Sequence, residues 1–145
     1  METRVDRTQY FLAIAELASK RATCTRLHVG AVLVDHNHHI IATGYNGSPP
    51  GAPHCSDVDC LIEHNHCIRS THAEESAILN MVVRPPSYTC FVTHQPCIRC
   101  YRMLVASGCI KVYYGSPYEN QSPAYIQLQK ELKVEMEHVP ATTTN

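Results

Sequence analysis

Two short segments of this 145-residue chain carry side chains whose types and spacing suit a single metal ion: His72-Ala73-Glu74 and Pro96-Cys97-Ile98-Arg99-Cys100. A catalytic zinc commonly takes three protein ligands and keeps a fourth position for water. His72, Cys97 and Cys100 meet that requirement. The Cys-x-x-Cys spacing places both sulfurs near one helix N-terminus, where the helix dipole favours thiolate. Glu74 stands two residues from the histidine, close enough to a coordinated water to move its protons without being a ligand. Zinc lowers the pKa of such a water to about 7, and a neighbouring carboxylate can carry the released proton to a reacting atom and its leaving group. The plainer alternative is a structural zinc, with Glu74 a solvated residue at a helix start.

A second set of sulfurs lies apart from the first. Cys55, Cys60 and Cys67 fall in a long loop with His54, His64 and His66, and Cys24 precedes the first predicted strand. Structural zinc is usually closed by four ligands. Cys24, Cys55, Cys60 and Cys67 would supply them and tie the loop to the domain, with His66 or His54 as a substitute ligand. Reduced free thiols are the alternative. Cys90 and Cys109 sit in apolar surroundings and read as packed thiols.

Several elements must position these groups. Residues 6–19 have apolar positions at Tyr10, Ile14, Leu17 and Ala18, which predicts a helix with that face buried. Residues 29–34 and 40–45 read as a β-hairpin around a polar turn. Residues 46–70, rich in turn signals such as Asn46-Gly47 and Ser48-Pro49-Pro50-Gly51, predict a loop whose length calls for a staple. From residue 72 the pattern alternates: helix 72–82, strand 88–93, a helix opened by Pro96 and running to about Ser107, strand 111–114, helix 123–132 and strand 133–139. Such alternation favours crossover connections and a helix-covered sheet. The tail from Pro140 to Asn145 is expected to fray.

Composition narrows the function classes. Hydrophobic residues make up 44% of the chain, which is enough for a core, and the formal net charge is -1. That balance argues against a nucleic-acid polymer as partner but not against a small nucleotide in a pocket. No apolar run approaches the ~20 residues of a membrane span. The charged start from Met1 to Arg7 is unlike a signal peptide, so the expected location is the cytoplasm, or the host cytoplasm if the chain is phage-encoded. Eight cysteines in a reducing compartment favour metal binding over a disulfide framework.

The pairing of His-x-Glu with Pro-Cys-x-x-Cys is the signature of zinc nucleobase deaminases. With it the chain resembles the cytidine and deoxycytidylate deaminase superfamily, and within it the deoxycytidylate deaminases of bacteria and their phages. The resemblance runs from about Cys24 to Tyr118. It rests on Cys24-Thr25-Arg26, Val29-Gly30-Ala31-Val32, Gly44-Tyr45-Asn46-Gly47-Ser48-Pro49, His54-Cys55, Asp59-Cys60-Leu61, His66-Cys67-Ile68-Arg69, Val92-Thr93-His94 and the two metal segments. One departure is Ser76, where many relatives carry Asn.

This resemblance implies an α/β protein: one domain over residues 1–145 with a three-layer αβα, cytidine-deaminase-like fold and a five-stranded mixed sheet. It implies hydrolysis of dCMP to dUMP and ammonia, supplying dUMP for dTMP synthesis. It also implies a homo-oligomer, often a hexamer, activated by dCTP and inhibited by dTTP with magnesium. Asn46 is expected at the substrate sugar, Arg26 and Tyr118 at its phosphate and base, and Ala73 among the substrate contacts. Gly44, Tyr45, Asn46 and Gly47 are expected to border an effector site. Two alternatives stay open: the same chemistry on dCTP, cytidine or a base in RNA, and a zinc-stabilised accessory module without catalysis.

Overall fold

The computed structural model describes residues 3–119 and 121–141, so residues 142–145 of the expected frayed tail lie outside the described residues. Twelve elements follow one another: α1 (Arg7–Ser19), β1 (Gly30–Val34), β2 (Ile40–Tyr45), α2 (Cys55–Val58), β3 (Ile62–Glu63), β4 (His66–Cys67), α3 (Ala73–Asn80), β5 (Tyr88–His94), α4 (Ile98–Ala106), β6 (Cys109–Ser116), α5 (Pro123–Leu132) and β7 (Glu135–His138). Five strands form one mixed sheet in the order β2-β1-β5-β6-β7. β1 runs antiparallel to both β2 and β5, whereas β5, β6 and β7 are parallel. The parallel half is joined by α4 and α5, as the alternation in the sequence requires.

Every residue of β1 is buried, so the strand shows the two sides of the sheet by alternation. Val32 and Val34 point with Phe91 toward α1 and meet Phe11, Leu12 and Ala15. Ala31 and Leu33 point the other way with Cys90 and Val92, and meet Ala73 and Ala77 of α3 and Leu104 of α4. The result is helix, sheet, helix: the three-layer arrangement and five-stranded mixed sheet expected from the sequence. Phe91 carries the aromatic contacts through the α1 side, 5.0 Å from the Phe11 ring and stacked on Tyr113 at 5.1 Å.

Helix α1 begins where Asp6 accepts the Gln9 N–H, but its buried face differs from the expected one. Tyr10 and Leu17 are exposed, while Phe11, Leu12, Ala15 and Ser19 are buried. The segment is apolar nearly all round, so periodicity alone could not choose the face. The sheet chooses it, because Gly30 lies against the Ala15 carbonyl and a Cβ there would collide with that oxygen.

Other boundaries moved as well, among them β6, which spans Cys109–Ser116 where a strand over 111–114 was expected. Helix α3 stops at Asn80, and Met81 is already extended at φ -66° and ψ 121°, in keeping with the approach to Pro85-Pro86. Pro96 does not open α4 but precedes its N-cap, Cys97. The loop 46–70 contains the short helix α2 and the β3–β4 ribbon, which turns through His64 (φ 51°) and Asn65 (φ 65°). Two consecutive left-handed residues are what a two-residue hairpin turn needs.

Helix α3 approaches the sheet closely enough that Gly44 of β2 admits no side chain. A Cβ there would meet the Ala73 carbonyl oxygen and lie 2.5 Å from the Ala77 nitrogen, both backbone atoms. Replacing Gly44 with alanine is therefore expected to cost about 1–3 kcal/mol or more through overpacking. This would be read as a lower urea midpoint at an unchanged denaturant slope.

Candidate active site

The start of α3 and the start of α4 face each other at one end of the sheet. His72 is the N-cap of α3 and Cys97 the N-cap of α4, with Cys100 in the first turn of the latter. The ligand atoms of His72, Cys97 and Cys100 lie within 4.8 Å of one another. His72 Nδ1 is 3.2 Å from Cys100 Sγ and 3.7 Å from Cys97 Sγ. In a tetrahedral zinc site with bonds of ~2.05 Å to nitrogen and ~2.3 Å to sulfur, nitrogen and sulfur stand roughly 3.6 Å apart. The donor set and its spacing therefore fit zinc.

Charge within the trio is arranged for a cation. The Cys97 thiol is brought down to about 4, first by the hydrogen bond from Cys100 and then by that from His72. The same bond with Cys97, together with burial, holds the Cys100 thiol far above its ordinary range. The Cys97 thiolate beside His72 raises the imidazole. A metal ion takes the place of the protons this group shares, as metal binding to thiols does generally. Glu74, in the first turn of α3, is only 4% exposed. Burial pushes its carboxyl up to about 7, which is where a group that must both take and give a proton is useful.

Glu74 and His72 open onto a cavity of about 570 Å³ whose walls include Arg26, Asn46, Ala73, His94 and Tyr118. The expected substrate contacts Arg26, Asn46, Ala73 and Tyr118 are thus gathered on one cavity. Asn46 is buried and fixed: its Oδ1 accepts the Val29 N–H at 2.7 Å and its Nδ2 donates to the Leu27 carbonyl at 2.6 Å. Arg26 donates to the Asn65 carbonyl at 3.1 Å, across from the tip of the β3–β4 ribbon. The Tyr118 N–H donates to Gln95 Oε1 at 2.9 Å, and its ring meets Tyr125 edge-on at 6.0 Å.

The segment expected to border an effector site divides. Asn46 faces the cavity and Tyr45 is exposed. Gly47 pairs with Thr71 through its N–H at 3.1 Å and its carbonyl at 2.8 Å. Gly44 is a helix–sheet contact beneath α3 and offers no free face to a ligand.

The second cysteine set also converges, with a correction. Cys55, Cys60 and Cys67 bring their sulfurs within 4.8 Å of one another, and Cys55 and Cys67 are 3.7 Å apart. Among the described residues neither Cys24 nor His66 joins that group. Cys24 is buried and lines the large cavity, whose wall also includes Cys67. Despite burial, backbone N–H groups of Ser70, Arg69 and Leu61 bring Cys67 down to about 7, while burial raises Cys55. Arg69 braces the cluster by donating to the Asp59 carbonyl at 2.7 Å.

Three side chains at the site were not singled out from sequence. His94 ends β5 on the cavity wall. The buried Thr93 hydroxyl accepts the Gly30 N–H at 3.1 Å and lies 2.8 Å from His94 Nδ1. Burial lowers the pKa of the His94 imidazole below its ordinary value. Glu75 and Arg99 are the other two. Glu75 follows an N-cap by three residues, the spacing of a capping box, and that was the available signal.

Support for the Cys97 turn comes from α5. The Tyr125 hydroxyl, buried, donates to the Pro96 carbonyl at 2.5 Å, and the Tyr101 hydroxyl of α4 donates to the Val134 carbonyl at 2.7 Å.

The sequence model of the cytidine and deoxycytidylate deaminase zinc-binding region matches residues 5–116. ComE operon protein 2 of Bacillus subtilis is 40% identical over 139 residues, covering 94% of this chain and 72% of that protein. A deoxycytidylate deaminase of Mycobacterium phage D29 is 34% identical over 129 residues, covering 77% of this chain and 96% of that one. A crystal structure of dCMP deaminase from the cyanophage S-TIM5, in complex with dCMP and dUMP, superposes with a TM-score of 0.79 at 30% identity, covering 95% of this chain and all of that one.

Removing the Tyr125 hydroxyl leaves the Pro96 carbonyl without its donor in a buried place. Tyr125→Phe is expected to destabilise the fold by about 1–2 kcal/mol, measured by equilibrium urea unfolding.

Proposed function

The chain belongs to the cytidine and deoxycytidylate deaminase family of zinc-dependent hydrolytic deaminases, and from that premise we propose that it converts dCMP and water to dUMP and ammonia. The observation that carries the proposal is the buried Glu74 carboxyl beside the three converging donors of His72, Cys97 and Cys100, at the wall of one nucleotide-sized cavity. Similarity to proteins named as dCMP deaminases, one crystallised with dCMP and dUMP, supports the choice of substrate.

In this reading His72, Cys97 and Cys100 would hold the zinc, which would supply the Lewis acidity that makes a water nucleophilic at neutral pH. Glu74 takes the proton released as the water oxygen adds to C4 of the cytosine and delivers it to N3. Glu74 then carries the remaining hydroxyl proton to the amino group as the C4–N4 bond breaks and ammonia leaves. A carboxyl near 7 suits both halves of that transfer. In the same reading Ala73 and Asn46 orient base and sugar and Arg26 supplies the positive charge for the phosphate, a reading supported by all three lining the one cavity. The formal net charge of -1 favours a small substrate over a polymer.

The finer features belong to the same proposal: one deaminase domain, a cytoplasmic homo-oligomer, probed first as a hexamer, activation by dCTP and inhibition by dTTP with magnesium. Their support is the family resemblance and, for self-association, the exposed Leu79, Val82 and Val83 at the end of α3. A second, structural zinc at Cys55, Cys60 and Cys67 is supported by the convergence of three sulfurs, with a fourth ligand still to be supplied.

Purified protein is expected to release ammonia from dCMP in preference to dCTP, cytidine and a tRNA. Glu74→Ala should lower that rate by at least about 10²–10⁴-fold while the zinc content stays unchanged. A Glu74→Ala variant with normal turnover would overturn the assigned chemistry. Metal analysis should return about two zinc ions per chain, falling to one in Cys60→Ser. A wild-type content of one, unaltered by that substitution, would remove the second site.

A further inference from the structure

We propose that Glu75 is a positioning residue that clamps the two ligand-bearing segments of the zinc site together, through His72 on one side and Arg99 on the other. The proposal rests on His72, Cys97 and Cys100 being the zinc ligands.

Those ligands come from two pieces of chain with no covalent reason to stay in register. The histidine is 25 residues from one cysteine and 28 from the other. A tetrahedral site tolerates only a few tenths of an ångström in its ligand distances, so something must fix one helix start against the other. Glu75 spans the gap with a single carboxylate. Its Oε1 accepts the backbone N–H of His72 at 3.2 Å. Its Oε2 accepts from the Arg99 guanidinium at 2.5 Å, and Arg99 sits between Cys97 and Cys100. The carboxylate therefore holds the main chain of one metal segment and a side chain of the other.

A bland account makes Glu75 the far half of the capping box of α3 and nothing more. A capping box uses one carboxylate oxygen and leaves the other to solvent. Here the other oxygen is committed to α4, and the Glu75 side chain is 13% exposed although Arg99 is 61% exposed. An ion pair between two freely exposed chains contributes little, but this one has an end anchored at the packed start of a helix. Both hydrogen bonds are charge-assisted, the stronger kind. Groups that orient metal ligands from outside commonly change metal affinity by roughly 10–100-fold when removed.

The test is the rate at which zinc leaves the holoenzyme to a colorimetric chelator, compared across the wild type, Arg99→Ala, Arg99→Lys, Glu75→Ala and the double alanine variant. Arg99 is exposed enough for its truncation to leave folding intact, so this arm remains decisive even if Glu75→Ala folds poorly. Arg99→Ala is expected to release zinc about 10-fold faster with an unchanged thermal midpoint. Arg99→Lys should fall between, since lysine keeps the charge but not the fork. The double variant should be no faster than Glu75→Ala, because both remove one link. Release from Arg99→Ala at the wild-type rate, or rates that multiply in the double variant, would overturn the clamp. A wild-type protein without zinc would instead remove the ligand assignment beneath it.

Discussion

One short distance governs the molecule: the few ångströms separating an imidazole nitrogen at one helix start from two sulfurs at another. Neither helix could hold that distance alone. Helix α3 is set by contact of its first turns with Gly44, and α4 by the strand that leads into it. α3 and α4 pack in one cluster on the same side of the sheet, Ala73 and Ala77 of the first with Leu104 of the second. The aromatic hydroxyls of Tyr125 and Tyr101 then tie the second helix start to the parallel edge. Core and site are thus one construction, in which the absence of a side chain on β2 matters as much as the presence of a carboxylate on α3.

Most of this frame was legible because its signals are local. The turn at Asp35–His39, the helix at 123–132 and the strand–helix alternation follow from patterning and breakers, and the two metal segments follow from ligand chemistry at short spacing. The misplaced face of α1 shows the opposite case. Its residues are apolar around most of the cylinder, and only the partner surface at Gly30 decides which of them are buried. The loop 46–70 hid a helical turn and a ribbon because four-residue and two-residue elements are too short for any periodicity to register.

Site residues divide along the same line. His72, Glu74, Cys97 and Cys100 could be read from type and spacing. Cys24 could not be placed that way, since its position depends on the path of the chain before β1: it shares the cavity wall with Cys67 but does not join the three sulfurs that lie within 4.8 Å of one another. His94 and Arg99 lie within quoted segments, but their roles could not be read there, because each depends on contacts made by the fold: the cavity wall for His94 and Glu75, 24 residues away, for Arg99. Contact chemistry within a few residues is visible in a string of letters; orientation imposed from elsewhere is not.

The β3–β4 ribbon has little apolar support of its own: Leu61 and Ile62 are about half exposed, at 48% and 50%. It is held by its own backbone pairing and by the Arg69 brace, yet Asn65, His66 and Cys67 form part of the cavity's enclosure. The enclosure is therefore of two materials, a rigid floor made by the sheet and its helices and a thin flank with almost no hydrophobic backing. Local opening in such a protein begins at the flank. Loss of the thiol cluster's integrity would let the mouth of the cavity come undone while the sheet beneath stayed folded.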